Sequence, residues 1–391
     1  MRAMHHGAFE LFALAGAAST VLAAVGQTNA LADACGQHGF ARLGRVGAPA
    51  WLDGNLECHL VTVLVGSLLF LLFGILGATC FTQPLILPSN QSPLGALPAR
   101  FRRERVLIIG CGDVGLRVAR ALKGRVQLMA LTSSSRRIDE LRSLGIIPLT
   151  GNLDARPSLL RLAGLANRVV HLAPPPGDGA GDPRTRALMA VLRLRRAPAS
   201  LVYGSTSGVY GDCQGEIAIE KRATRATTER AGRRIDAESV VRWHGRVTGV
   251  RSAILRIPGI YAPDREGGTP QARLLKRTPV LQVADDVYTN HIHADDLARA
   301  CVAALWRGLP QRIYNVNDDT QLKMGDYFDL AADLYGLERP PRVTRSEAKT
   351  LLSPMLLSFM SESRRMDNTR MKRELKLVLR YPTVATGLLH K

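Results

Sequence analysis

The segment VLIIGCGDVGLRVARAL, Val106–Leu122, limits the fold more than any other stretch. A short apolar run, Arg105–Ile109, leads into Gly110, Gly112 and Gly115, and a helix-forming stretch follows from Leu116 to Leu122. Glycines spaced G-x-G-x-x-G between a strand and a helix have separate uses. Gly110 permits the tight turn, Gly112 lets the backbone approach a pyrophosphate, and Gly115 lets the helix pack close to the strand. The free N–H groups at the helix start suit an anion. Gly110, Cys111, Gly112, Asp113, Val114 and Gly115 are therefore the first candidate cofactor residues.

The pattern then alternates. Strands are expected at Val126–Leu131, Val169–Leu172, Ser200–Tyr203 and Ser252–Ile257, and helices at Ile138–Leu144, Thr185–Arg195 and Thr227–His244. Near-continuous apolar strands separated by helices mean a parallel sheet covered on both faces. After about Arg256 the pattern becomes irregular, which suits a smaller substrate-side lobe with the last sheet strands interleaved. The expected division is an apolar extension over 1–82, a linker over 83–101, a nucleotide-binding domain over 102–256 and mainly the lobe over 257–391.

The extension has a different character. Leu60–Phe81 is 22 residues without a charge, long enough for a bilayer core of about 30 Å. A shorter apolar stretch, Leu11–Val25, precedes Ala30-Leu31-Ala32, a small-residue site resembling a signal-cleavage site. A membrane hairpin, a cleaved signal and a start codon placed too far upstream all fit. Gln83–Pro98 carries Pro84, Pro88, Pro93 and Pro98 and reads as an extended linker. Arg100, Arg102, Arg103 and Arg105 follow the apolar segment, so an inserted segment leaves residues 102–391 in the cytoplasm, anchored to the inner membrane.

Residues 1–100 balance four arginines against four acids, so the whole net charge of +19 lies in 101–391. It is spread along the chain without a long basic run, which favours anionic small molecules over nucleic acid. The six cysteines include no Cys-x-x-Cys and no zinc spacing. Cys111, Cys213 and Cys301 are expected as reduced thiols, and Cys35 and Cys58 could pair outside the cell.

The second strand ends in Thr132-Ser133-Ser134-Ser135-Arg136-Arg137, with no acid between Gly115 and Asp139. A NAD site usually places an acid here on the ribose 2′-hydroxyl. Ser133, Ser134, Arg136 and Arg137 suit a 2′-phosphate instead, so NADP is expected over NAD. Asp154 in TGNLD either meets the adenine or caps the following helix, the cap being the plainer role. Ala173 in HLAPPPGDG follows a strand at the nicotinamide edge, whereas His171 suits a structural role. LVYGSTSGVYGD, Leu201–Asp212, brings Ser205, Thr206 and Ser207 to a strand end.

Taken in order, the glycine loop, STSGVYGD, LRIPGIYAPDR and NHIHADDLARA resemble the extended short-chain dehydrogenase/reductase superfamily, and most closely its NAD(P)-dependent epimerase/dehydratase branch. The resemblance covers about Arg103–Tyr381. It implies an α/β fold: a Rossmann-type doubly wound parallel sheet with a small C-terminal substrate lobe. It also implies an NAD(P) cofactor and a carbonyl or nucleotide-sugar-type substrate. The family's catalytic hydroxyl falls on Thr206, Ser205 and Pro258 fall beside the cofactor, and Tyr261, Arg265 and His293 fall on the substrate side. Asp296 completes a His-x-x-Asp signature with His293.

Two departures bear on mechanism. Ile109 stands where the family's glycine motif usually begins, so the loop has the G-x-G-x-x-G form. The family's Tyr-x-x-x-Lys pair falls on Arg230 and Arg234, and none of the eight tyrosines has Lys four residues later. Arg234 can act as a fixed cation, but Arg230 cannot exchange a proton at neutral pH, because a guanidinium keeps its charge. Tyr210 is the nearest proton donor by sequence. An unorthodox oxidoreductase and a non-catalytic NADP(H)-binding sensor or scaffold both fit this pattern.

Overall fold

The computed structural model describes residues 103–389. Seven parallel strands form its sheet: β1 Arg105–Ile109, β2 Gln127–Thr132, β3 Ile147–Thr150, β4 Arg168–His171, β5 Ser200–Thr206, β6 Arg251–Ile257 and β7 Arg312–Asn315. Their order is β7-β6-β5-β4-β1-β2-β3. The chain winds outward from β1 in one direction through β2 and β3, then crosses back to β4. The reversal leaves a crevice beyond the carboxyl ends of β1 and β4, the usual ligand position in such sheets.

The apolar strands bury both faces because both are covered. Helices α1 (Asp113–Leu122), α2 (Arg137–Ser143), α3 (Pro183–Leu192), α4 (Glu229–Thr248) and α5 (Ala294–Arg307) flank the sheet. Val106 and Ile108 pack with Val118, Leu122, Leu297 and Leu305 on the α1/α5 side. Leu107 and Ile109 point the other way, toward Leu188, Leu192, Ala237 and Val241 from α3 and α4. The period of two along β1 thus feeds two cores.

The segment after Arg256 is more regular than its sequence pattern implies. The 14-residue α5 lies against α1, and β7 completes the sheet beside β6. Interleaved with them is a lobe with its own core, including Leu274, Val280, Phe328 and Leu352.

Cys111, Cys213 and Cys301 are free and buried. No helix among the described residues is long and apolar enough to cross a membrane. Leu11–Val25, Leu60–Phe81, the linker Gln83–Pro98 and Cys35, Cys58 and Cys80 lie outside the described residues.

Candidate functional site

At the carboxyl end of β1 the three glycines meet different surroundings. Gly110 has φ +81°, and a Cβ there would stand 2.4 Å from the Ala173 backbone nitrogen. Only a bare backbone lets the β1 and β4 ends come this close. A Cβ on Gly115 would stand 3.0 Å from the Gly110 carbonyl and 3.3 Å from Ile108, which is the close helix–strand packing the spacing predicts. A Cβ on Gly112 would meet nothing within 4 Å. The residues present therefore fit a dinucleotide phosphate: a backbone cradle, an open face at Gly112 and the free start of α1. Val114 packs on the sheet core and Cys111 is buried beneath the loop, where burial pushes its thiol up to about 11. The Asp113 carboxylate turns to Arg117 at 3.1 Å and Arg265 at 3.6 Å.

Beyond β2, Ser133, Ser134 and Arg136 are exposed. Arg137 opens α2, donates to the Cys111 carbonyl at 2.7 Å and pairs with Glu140 at 3.0 Å, which fixes it over the loop. Asp154 caps no helix; its carboxylate takes both Nε and Nη2 of Arg184 from α3 at 2.7 Å. His171 is structural. It is buried against Thr185, whose hydroxyl donates to the α3 cap Asp182, and desolvation holds the imidazole down to about 3.

The hydroxyl cluster at the end of β5 splits. Ser205 points inward and donates to Glu238 of α4 at 2.6 Å, so its hydroxyl is committed to the core rather than to a cofactor. Thr206 lines a cavity. Its Oγ1 accepts from the Gly208 N–H at 3.3 Å, which leaves the hydroxyl proton free to be donated. Tyr210 is not at this edge. Its hydroxyl is buried and donates to the Asn315 side chain at 2.6 Å, its ring lies under Arg256 at 4.6 Å, and burial pushes it up to about 12. A phenol sealed in this way cannot serve as the proton donor, contrary to the sequence expectation.

Arg230, Arg234 and Glu238 are spaced by four and run down one face of α4. Glu238 is deepest, buried with Ser205 and Arg256. Arg234 is half-buried and donates to the Gly204 carbonyl at 2.7 Å and the Tyr203 hydroxyl at 3.1 Å. Arg230 is exposed at the cavity, with its guanidinium 5.2 Å above Phe359. The pair is therefore graded from core to cavity rather than spread on an outer surface.

The cavity holds about 820 Å³. One wall is the carboxyl edge of the sheet, with Pro174–Gly177, Thr206–Gly208 and Pro258. The opposite wall is the lobe, with Tyr261, Arg273, His291 and Phe328. Five arginines line it, at 230, 233, 234, 273 and 364, against one acid, Glu362. Such a wall favours an anionic guest. Of the expected substrate residues, Tyr261 lines the cavity, while its hydroxyl donates to the Thr383 carbonyl at 3.2 Å. Arg265 does not line it; its guanidinium donates to the Ile260 carbonyl at 3.0 Å and reaches Asp113. His293 is buried as the cap of α5, with Nδ1 accepting from the Asp295 N–H at 3.2 Å and its ring against Tyr381. Asp296 accepts the backbone N–H groups of Arg380 and Tyr381 at 3.0 and 2.9 Å. The His-x-x-Asp signature thus builds the lobe rather than touching a substrate.

Several site residues escape sequence reading. Arg117 ties the glycine-loop helix to Asp264 at 2.6 Å and Asp295 at 2.5 Å. Arg233 is buried and donates to the Gly179 carbonyl at 2.9 Å. Arg273 comes from a segment without a motif, and His291 stands inside NHIHADDLARA but outside its His-x-x-Asp signature. Only the spacing of Glu238 from Arg234 signalled a shared face.

The family model for the NAD dependent epimerase/dehydratase family matches residues 106–317. No curated protein matches the chain. Among solved structures, a functionally unknown conserved protein from Silicibacter pomeroyi is 29% identical, with a TM-score of 0.60 over 73% of this chain and 96% of that one. UDP-glucose 4-epimerase from Thermotoga maritima, with UDP-glucose, is 16% identical, with a TM-score of 0.59 over 73% and 96%. UDP-glucuronic acid 4-epimerase from Bacillus cereus, in complex with NAD, is 16% identical, with a TM-score of 0.58 over the same shares. The last two likenesses are likenesses of fold.

Proposed function

Because the chain belongs to the NAD dependent epimerase/dehydratase family, we propose that it is an NADP-linked oxidoreductase or epimerase-like enzyme acting on an anionic carbonyl or nucleotide-sugar-type substrate. The observation that carries this reading is the position of Thr206. Its donor hydroxyl stands on a cavity that begins at Pro174, one residue beyond the Ala173–Gly110 contact, and is lined by arginines.

A bound nicotinamide would supply the hydride exchange. The chain's own part is orientation and charge. Thr206 donates to the substrate oxygen. Arg230 faces the same space and stabilises negative charge developing on that oxygen, without exchanging a proton. Arg234 fixes the β5 end through the Gly204 carbonyl. The proton itself comes from solvent or the substrate, since Tyr210 is sealed away.

The NADP preference rests on the β2 end. Among the described residues, no carboxylate lies between Gly115 and Asp139, and Asp139 itself pairs with Arg142 on the exposed side of α2. Ser133, Ser134, Arg136 and Arg137 supply hydroxyls and positive charge there. Titration of the purified protein with NADPH and NADH tests this. Tighter NADPH binding that R136A/R137A abolishes is expected, and tighter NADH binding overturns it.

One observation favours a second reading, an NADP(H)-binding sensor or scaffold. Arg230 and Arg234 stand where the family's Tyr-x-x-x-Lys pair falls, and no tyrosine of the chain has Lys four residues later. A carbonyl substrate screen followed by NADPH absorbance separates the two, since a sensor gives binding without turnover. The cytoplasmic setting of residues 102–391 and membrane attachment through the N-terminal segment belong to the same proposal, and cell fractionation with N-terminal sequencing tests them.

A further inference from the structure

A second hollow, of about 980 Å³, lies at the amino edge of the sheet. Arg103 and Glu104, just before β1, and Val126, just before β2, line it with the last turns of α1 and α5 and the segment 376–380. Because the strands are parallel, this edge is the one remote from Thr206 and its cavity. Arg103, Arg125, Arg299, Arg307, Lys376 and Arg380 line the hollow, against one acid, Glu104.

Glu104 does little to balance them, because its carboxylate takes Nε and Nη2 of Arg168 at 2.7 and 2.9 Å. Two of the cations are committed to the fold: Arg299 pairs with Asp296 at 2.6 Å, and Arg307 donates to the Leu375 carbonyl at 2.8 Å. Arg103, Arg125, Lys376 and Arg380 are exposed, and their side chains have no hydrogen bond or ion pair among the described residues. A single exposed cation is ordinarily just solvated. Here four, from three separate parts of the chain, are gathered on one hollow, and an anion there offsets their mutual repulsion. The rest of the lining is apolar, with Val302, Ala303 and Trp306 of α5 beside Leu377. Trp306 is half-buried, with the Arg168 guanidinium 4.8 Å from its ring centre. An indole among cations matches the boundary between the headgroups and the acyl chains of a bilayer.

Chain order points to the same surface. Arg103 follows the uncharged Leu60–Phe81 after the 21 residues 82–102. A stretch of that length spans about 70 Å at most when extended. An inserted segment therefore keeps the residues around Arg103 within reach of the headgroups.

We propose that this hollow docks the amino edge of the sheet on the phosphate headgroups of an anionic bilayer. Docking by this edge turns the carboxyl edge, with Thr206 and the cavity, away from the bilayer and toward soluble substrate. The proposal rests on the cytoplasmic setting proposed above and is independent of the chemistry in the cavity.

The test follows Trp306 in the full chain carrying W51F/W243F, which leaves it the only tryptophan. The protein is assembled with nanodiscs of phosphatidylcholine, or of phosphatidylcholine with one third phosphatidylglycerol, each containing a headgroup-spin-labelled lipid as quencher. Phosphatidylglycerol should increase Trp306 quenching by about threefold or more, and high salt should remove the increase. R103Q/R125Q/K376Q/R380Q should remove it too, since each cation near the surface contributes about fivefold in affinity. Equal quenching in the two compositions, quenching in neither, or an unchanged response in the fourfold variant overturns the proposal. Should that variant not fold, R125E decides: it should at least halve the increase, and an unchanged increase overturns the docking. A Trp306 response to free pyrophosphate without quenching by lipid makes the hollow a site for a soluble phosphate and overturns the bilayer assignment. Co-purification with phosphatidylcholine nanodiscs reads the N-terminal attachment separately. Attached protein with unquenched Trp306 overturns the docking alone, and quenching by phosphatidylglycerol without that co-purification supports the docking and overturns the attachment alone.

Discussion

Glu238 and Arg256 form a two-point ion pair in the core, with Arg256 Nε and Nη2 donating to the two carboxylate oxygens at 3.1 and 2.8 Å. The pair joins α4 to β6, and Ser205 of β5 closes it from a third side. Three elements that carry the cavity edge are thus cross-linked beneath it. Removing one partner leaves a buried charge uncompensated, which costs about 3–5 kcal/mol. R256M should lower the urea midpoint accordingly, and R256M/E238L should recover most of the loss. A double-mutant cycle with no coupling would remove this pair from the account of the edge.

Gly110 and Gly112 predict contrasting effects, one on stability and one on binding. G110A forces a side chain into left-handed backbone and into the Ala173 backbone, so it should destabilise the protein by more than about 2 kcal/mol. G112A meets no neighbour, so thermal stability should stay near wild type. If Gly112 is the approach to a pyrophosphate, G112A should nevertheless weaken NADPH binding by about tenfold or more. Calorimetry and thermal melts on both variants check the contrast.

Thr206 and Ser205 predict a similar contrast. T206V removes the cavity-facing donor and keeps the shape, so turnover should fall by about 10²-fold or more with NADPH affinity intact. T206S should keep most of the activity. S205A acts on the Glu238 network instead, so its effect should be on stability, with a melting temperature lowered and KM little changed. Steady-state kinetics beside melting curves distinguish the two hydroxyls.

These contrasts show how far local pattern carries. The glycine roles were legible because spacing, strand and helix are all local, and the sheet because buried parallel strands read as apolar runs. The hydroxyl edge was legible only as a cluster. Which of Ser205 and Thr206 faces the cavity depends on a helix that begins at Glu229, and Tyr210 is sealed by Asn315, 105 residues away. His293 and Asp154 went to structural partners for the same reason. Asp154 found Arg184 on α3, a pairing decided by tertiary packing rather than by the short helix beside it. The start of α5 carries no local signal, because its cap is a histidine, which is not among the usual N-cap residues.

The last prediction concerns pH. Desolvation lowers the folded pKa of His291 to about 4, whereas an unfolded histidine titrates near ~6.5. Above that value both states are neutral, and the residue leaves stability unchanged. As pH falls, the unfolded chain takes up a proton that the folded one refuses, so stability drops from pH ~6.5 down to about 4, by about 1.4 kcal/mol per pH unit at most. Asp318 works in the opposite sense: burial raises its carboxyl to about 8, so the folded state gains relative stability as pH falls below that value. The net curve mixes these groups, so the measurement is a difference. H291F keeps a ring against Tyr327 and cannot titrate, and the stability of H291F relative to wild type should rise steadily as the pH is lowered from 6.5 toward 4. Urea denaturation at four pH values in this window reads that slope. Parallel curves for the two proteins would show that His291 binds its proton equally in both states.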